Sequence, residues 1–163
     1  MIRFNSHFQI FMLLFISLVC AIILGPRSFP GNVPEEFRSS DIEAYYLMAR
    51  ESPNSARVPF AYRIGAPLLF AVMPFDIETN SFILTYISSI AMLYLFYSLC
   101  RQIGLSDRVS LVISGILAFS YPVTFYLGAF GRVDAPANTL MVASLYFMAR
   151  KNYSVATVST CIG

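Results

Sequence analysis

The sequence predicts an all-α fold: a polytopic helical membrane protein with about four or five transmembrane helices and a short re-entrant or interfacial segment. Three observations predict it. Of the 163 residues 57% are hydrophobic and 12% charged, whereas a soluble domain carries about 25% charged residues. The apolar residues gather into runs at 8–24, 64–75, 81–100, 109–130 and 135–149, and a further apolar stretch occupies 153–163. No acid or lysine lies inside these runs, and the mean hydropathy of the whole chain is +0.66.

The run from Phe8 to Leu24 follows Arg3 and His7. It resembles a signal peptide, but it lacks a small-x-small cleavage site and more apolar segments follow it, so a retained first span is expected. Residues 25–63 form a long loop. Its opening, GPRSFPGNVP, disfavours regular structure, and SSDIEAYYLMAR then reads as a short helix. Ser40 and Glu43 have capping-box spacing, which makes Ser40 the expected N-cap. Residues 64–75 reach only about 18 Å as a helix, against about 30 Å of hydrocarbon, and contain Pro67 and Pro74. They are expected not to cross. The runs 81–100 and 109–130 are long enough to span, and 135–149 would need its polar first turn or local thinning. The stretch 153–163 reads as the start of an incomplete span within one helical membrane domain.

Charge selects the topology. With 64–75 not crossing, Arg3, Arg101, Arg108, Arg150 and Lys151 share the cytoplasmic side with the N-terminus, as the positive-inside tendency requires. If 64–75 crossed, Arg101 and Arg108 would move outside. The five arginines of the long loop weigh less, because Glu35, Glu36, Asp41, Glu43 and Glu51 balance them. The favoured topology puts the loop with Asp41 and Glu43 and the loop with Arg132 and Asp134 on one extracytoplasmic face.

Among the residues able to carry chemistry, Asp41 stands first. Capping and the helix dipole account for Glu43. At about 100° per residue, however, Asp41 shares a face with Ala44, Tyr45 and Met48, while Glu43 points toward the side of Arg50. An acid on the apolar face of a juxtamembrane helix can act as a base or bind a metal. Arg63 lies where loop meets membrane, suited either to a lipid phosphate or to snorkelling and internal pairing. Asp134 is expected to cap the helix beginning at Ala135, with Arg132 paired to it; direct roles for these two in a site are weaker readings. Asp76 and Glu78 read as residues of a solvated turn. Tyr45, Tyr46, Phe60 and Tyr62 fit an interfacial aromatic belt better than a sugar-stacking platform.

These segments resemble the N-terminal part of polytopic GT-C-type membrane glycosyltransferases. The resemblance rests on Asp41-Ile-Glu43 after a first span, on PFAYRIGAPLLF (residues 59–70), and on GRVDAPANTLMVASLYFMARK (residues 131–151). It covers about residues 8–151 through short motifs. It implies sugar transfer from a polyprenyl-phosphate donor at the extracytoplasmic face of a bacterial inner (plasma) membrane. By the same analogy Asp41 would deprotonate the acceptor or help bind a divalent cation, Glu43 would assist more weakly, and Arg63 would meet the donor phosphate. Members of that family are usually longer, so a truncated or incomplete chain is expected.

Other functions find less support. A net charge of +2 without a basic stripe argues against nucleic acid. Cys20, Cys100 and Cys161 have no zinc, redox or disulfide spacing. There is no phosphate-cradling glycine loop, His-rich metal motif or nucleophile elbow. Asn152 begins a sequon that the favoured topology leaves unglycosylated in the cytoplasm. The alternative to an enzyme is a non-enzymatic membrane subunit, or an inactive fragment, that binds a partner through its first loop. A transporter fragment is disfavoured because the spans lack an ionisable coupling residue.

Overall fold

The computed structural model describes residues 6–24, 40–51, 65–120, 123 and 133–162. Every regular element among them is a helix, so the chain is all-α over the described residues. In chain order these are α1 (Ser6–Leu24), α2 (Ser40–Arg50), α3 (Gly65–Val72), α4 (Ile77–Gln102), α5 (Asp107–Ala118), α6 (Asp134–Ala149) and α7 (Tyr153–Ile162).

The central element is α4. Its 26 residues span about 39 Å at 1.5 Å per residue. It begins earlier than its apolar run suggests because Asp76, expected in a solvated turn, is an N-cap: its Oδ1 accepts from Thr79 N at 2.9 Å. It stops at Gly104, whose φ of +96° allows the chain to turn back. Leu105 N donates to Cys100 O and Gly104 N to Arg101 O, both at 3.1 Å, which is a Schellman ending.

Against α4 the other helices take fixed directions. Ile10 and Leu14 of α1 join Leu93, Tyr97 and Ala118 in one apolar cluster and His7 stacks on Tyr94, while Leu13 lies beside Gly115 and Ser17 Oγ meets Ala118 O, so α1 runs parallel to α5. In α5, Asp107 accepts from the Tyr97 hydroxyl, while Ala118 lies in the Leu93 cluster nearer the middle of α4. Helix α6 runs parallel to α4: Thr139 Oγ1 lies 2.8 Å from Ser88 O, and Val142 packs on Met92. Helix α7 folds back on α6, where Ser144 Oγ reaches Ala156 O at 3.2 Å and Thr160 Oγ1 at 2.9 Å.

One expectation about spans is corrected. The run 109–130 is not one helix: α5 ends at Ala118 with Phe119 as C-cap, after 12 residues or about 18 Å. Pro122 gives the reason, since a proline clashes with the carbonyl four residues earlier and disfavours helical backbone at the residue before it. Among the described residues α4 is also the one helix both long and apolar enough to cross a membrane; the apolar stretch Ile10–Val19 of α1 is shorter. Helices α6 and α7, with 16 and 10 residues, reach only about 24 and 15 Å. The short segment is a helix of 8 residues, about 12 Å, with Pro67 in its first turn and Pro74 beyond its end.

Candidate functional site

Helices α2 and α3 cover the end of the bundle where α4 and α6 begin. Tyr45 and Met48 of α2, Ala66 and Phe70 of α3, and Val133 form one buried cluster, with Tyr46, Ala49, Ile77 and Leu84 packed around it. Tyr46 is fixed twice: its hydroxyl lies 2.8 Å from Ser81 Oγ, and its ring meets Phe70 edge-on at 6.3 Å. The two segments singled out in the sequence, around Asp41 and around Asp134, therefore come together through Tyr45, Met48 and Val133.

The α2 register follows the helical wheel. Ile42, Tyr45 and Met48 are buried, while Glu43, Leu47 and Arg50 are exposed. Asp41 lies four and seven residues before Tyr45 and Met48, on the face those two bury; its own side chain, like that of Ser40, is outside the described residues. Glu43 is at the surface, in line with a stabilising role in the first turn. Arg63 and Arg132 lie outside the described residues.

Asp134 is not the cap that its sequence suggests. Val133 occupies the N-cap position with φ −81° and ψ −5° and no side-chain cap bond, and Asp134 is the first residue of α6. An N-cap needs extended backbone to aim its side chain at the exposed N–H groups, and Val133 is already helical. Asp134, half-buried, still contributes through its charge at the positive end of the helix dipole.

The joint between α3 and α4 depends on Asn80, a residue the sequence reading passed over. It is fully buried. Its Nδ2 donates to Phe70 O at 2.8 Å, Met73 O at 3.1 Å and Phe75 O at 2.8 Å, and its Oδ1 accepts from Phe75 N at 3.1 Å. One side chain thus satisfies the backbone groups that the end of α3 and the turn would otherwise leave unpaired. Beside it opens a cleft of about 580 Å³, lined by Ala49, Arg50, Phe70, Phe75, Asp76 and Glu78 among others. Asp76 is held below the ordinary carboxylate range by its hydrogen bonds to Thr79, so it is ionised at neutral pH.

Among the described residues, the end that carries these groups offers exposed or half-buried carboxylates (Glu43, Glu51, Asp76, Glu78, Asp134), the arginine Arg50 and an aromatic floor. Carboxylates of this kind accept hydrogen bonds from hydroxyl-rich molecules and can take up a proton. Among the described residues no three His, Cys, Asp or Glu side chains gather closely enough to hold a metal ion. A divalent cation would therefore depend on Asp41 and on residues beyond those described. Neither family models, nor curated proteins, nor solved structures match the chain.

Proposed function

We propose that this chain is a polytopic membrane protein of the GT-C glycosyltransferase kind, with a sugar-transfer site at the α2–α3 end of the bundle facing the extracytoplasmic side. One observation carries the membrane part: small polar side chains are buried between the helices while many large apolar side chains face outward. The buried polar residues include Ser17, Thr85, Ser88, Ser89, Ser110, Ser114 and Ser144, while Phe11, Phe15, Val112, Ile116, Met141 and Leu145 are exposed. Water penalises that arrangement by about 1.5–3 kcal/mol for each large apolar side chain left out of a core. Lipid removes the penalty and rewards close packing of small residues with hydrogen bonds between helices. Ser17 to Ala118 O at 3.2 Å, Thr139 to Ser88 O and Ser144 to Ala156 O are bonds of this type.

The transferase part is supported by the contact of the Asp41-bearing helix with the segment just before Asp134. In this reading Asp41 takes the proton from the acceptor hydroxyl as it attacks the anomeric carbon, and the polyprenyl phosphate leaves with the bonding electron pair. Arg63 meets that phosphate through paired N–H donors, with Arg132 and Asp134 as weaker contacts. Membranes containing the chain would be supplied with a polyprenyl-phosphate hexose and assayed for transfer to endogenous acceptors. Asp41→Asn abolishes transfer in this account with the chain still in the membrane, and Arg63→Lys raises the donor concentration required. Full activity in Asp41→Asn would remove the catalytic assignment. Absence of transfer by the unmutated chain, together with recovery of a co-purifying membrane protein lost on changing the first loop, would favour the subunit reading.

A further inference from the structure

The opposite end of the bundle carries a different chemistry. There α4 hands over to α5 and α6 to α7, and among the described residues the exposed charges are Arg101, Arg108, Arg150 and Lys151 against the single carboxylate Asp107. Asp107 already has partners: it takes the Tyr97 hydroxyl and lies 3.8 Å from Arg101 Nε. Arg150 rests on Tyr146, with its guanidinium carbon 5.5 Å from the ring centroid and Nη1 3.0 Å from the hydroxyl, which leaves its other donors toward solvent. The side chains of Arg108 and Lys151 make no hydrogen bond or ion pair with the described residues.

The cations lie at one level. With Thr139 beside Ser88 in a parallel pair, Arg150 falls level with Leu99, and Arg101 is two residues, about 3 Å, further along the axis. Large apolar side chains ring the same level and are exposed: Ile103, Val109, Met148 and Tyr153. Backbone conformation supplies an independent clue. Helix α6 ends in the same Schellman geometry as α4, with Asn152 N donating to Phe147 O and Lys151 N to Met148 O, both at 2.9 Å. The left-handed position that Gly104 fills in the first turn is filled here by Lys151, at φ +59°. A side chain is disfavoured in that conformation, and the turn nonetheless carries a lysine there, with its charge exposed at this end.

We infer that this end is a seat for anionic phospholipid headgroups, in which Arg108, Arg150 and Lys151 hold the phosphates while the apolar ring lies among the acyl chains. The inference rests on the membrane reading above and adds the lipid class. An anionic leaflet attracts such juxtamembrane cations within about a Debye length, and exposed aromatic and aliphatic residues fix their depth.

The test is native mass spectrometry of the full chain from nanodiscs containing phosphatidylglycerol and phosphatidylcholine, 1:1. The unmutated protein should retain phosphatidylglycerol at least fivefold over phosphatidylcholine. R108Q/R150Q/K151G should lose that preference, and the Arg50→Gln variant at the other end should keep it. Thermal unfolding guards against a trivial loss, because Lys151→Gly relieves the backbone and should not lower the melting temperature. Equal retention of the two lipids by the unmutated chain, or an undiminished preference in the triple variant, overturns the headgroup seat alone. Release of the unmutated chain from membranes by alkaline carbonate overturns the membrane reading with it.

Discussion

Replacing Asn80 by alanine should loosen the joint that supports the candidate site without unfolding the bundle. The side chain is fully buried and makes four backbone contacts at 2.8–3.1 Å. Its amide has two protons for three carbonyls, so one of the three bonds is shared, and three full donor–acceptor pairings is the fair count. At about 1 kcal/mol net each, with some water admitted to the vacated space, the loss comes to about 2–4 kcal/mol. That corresponds to a rise of roughly 30- to 1,000-fold in local opening. Hydrogen exchange at Met73 reads it cleanly, because Met73 N donates to Leu69 O at 3.2 Å and not to Asn80. Exchange at Met73 should accelerate by at least 30-fold in Asn80→Ala, while amides in the middle of α5 change by less than threefold. Asn80→Asp should be no better, since an ionised carboxylate would face the carbonyls of Phe70 and Phe75. Unchanged exchange at Met73 would refute the clamp.

Three further outcomes follow from single residues. Lys151→Gly should stabilise the α6–α7 turn by about 1 kcal/mol, read as a higher unfolding midpoint, because glycine carries no penalty at φ +59°; a lower midpoint would show that the lysine side chain holds the turn. Asp76 has a folded pKa depressed below 3.8, so its contribution to the start of α4 is present above that value and fades as pH falls through the folded one. Thr79 amide exchange should accelerate in that acidic window, and Asp76→Ala should accelerate it at neutral pH and flatten the pH dependence; an unaltered profile would remove the cap. Glu43→Gln should cost about 1 kcal/mol or less and leave activity within a few-fold, unlike Asp41→Asn; equal losses in the two would undo the distinction of faces in α2.

Much of the architecture is legible in the residues themselves. The 100° periodicity of 41–50 gives the buried face of α2, and the two prolines of 64–75 bound a short helix of 8 residues. Gly104 marks a turn that only a residue tolerant of positive φ makes without strain. Other features escape because hydrophobicity alone does not encode them. Pro122 counted as one more residue of an apolar run, although its ring and missing N–H disfavour a continuous helix before it. Asp76 and Thr79 have N-cap spacing, but beside a proline-bearing turn they read equally well as solvated. Asn80 is a polar residue at the edge of an apolar segment, and its role depends on three carbonyls that only the folded turn brings together. At the site, Asp41 could be ranked above Glu43 from periodicity, whereas the meeting of Val133 with Tyr45 and Met48 joins residues far apart in the chain.

The central claim is a membrane protein whose α2–α3 end faces outward and whose arginine-rich end faces the cytoplasm. Cysteine accessibility tests it directly, in intact cells and in a background lacking Cys20, Cys100 and Cys161. Glu51→Cys and Gln102→Cys both place the probe at exposed positions, at opposite ends of the bundle. A membrane-impermeant maleimide should label the Glu51 position from outside, and the Gln102 position only after the cells are opened. Labelling of both positions from outside, or of neither until the cells are opened, would contradict the account.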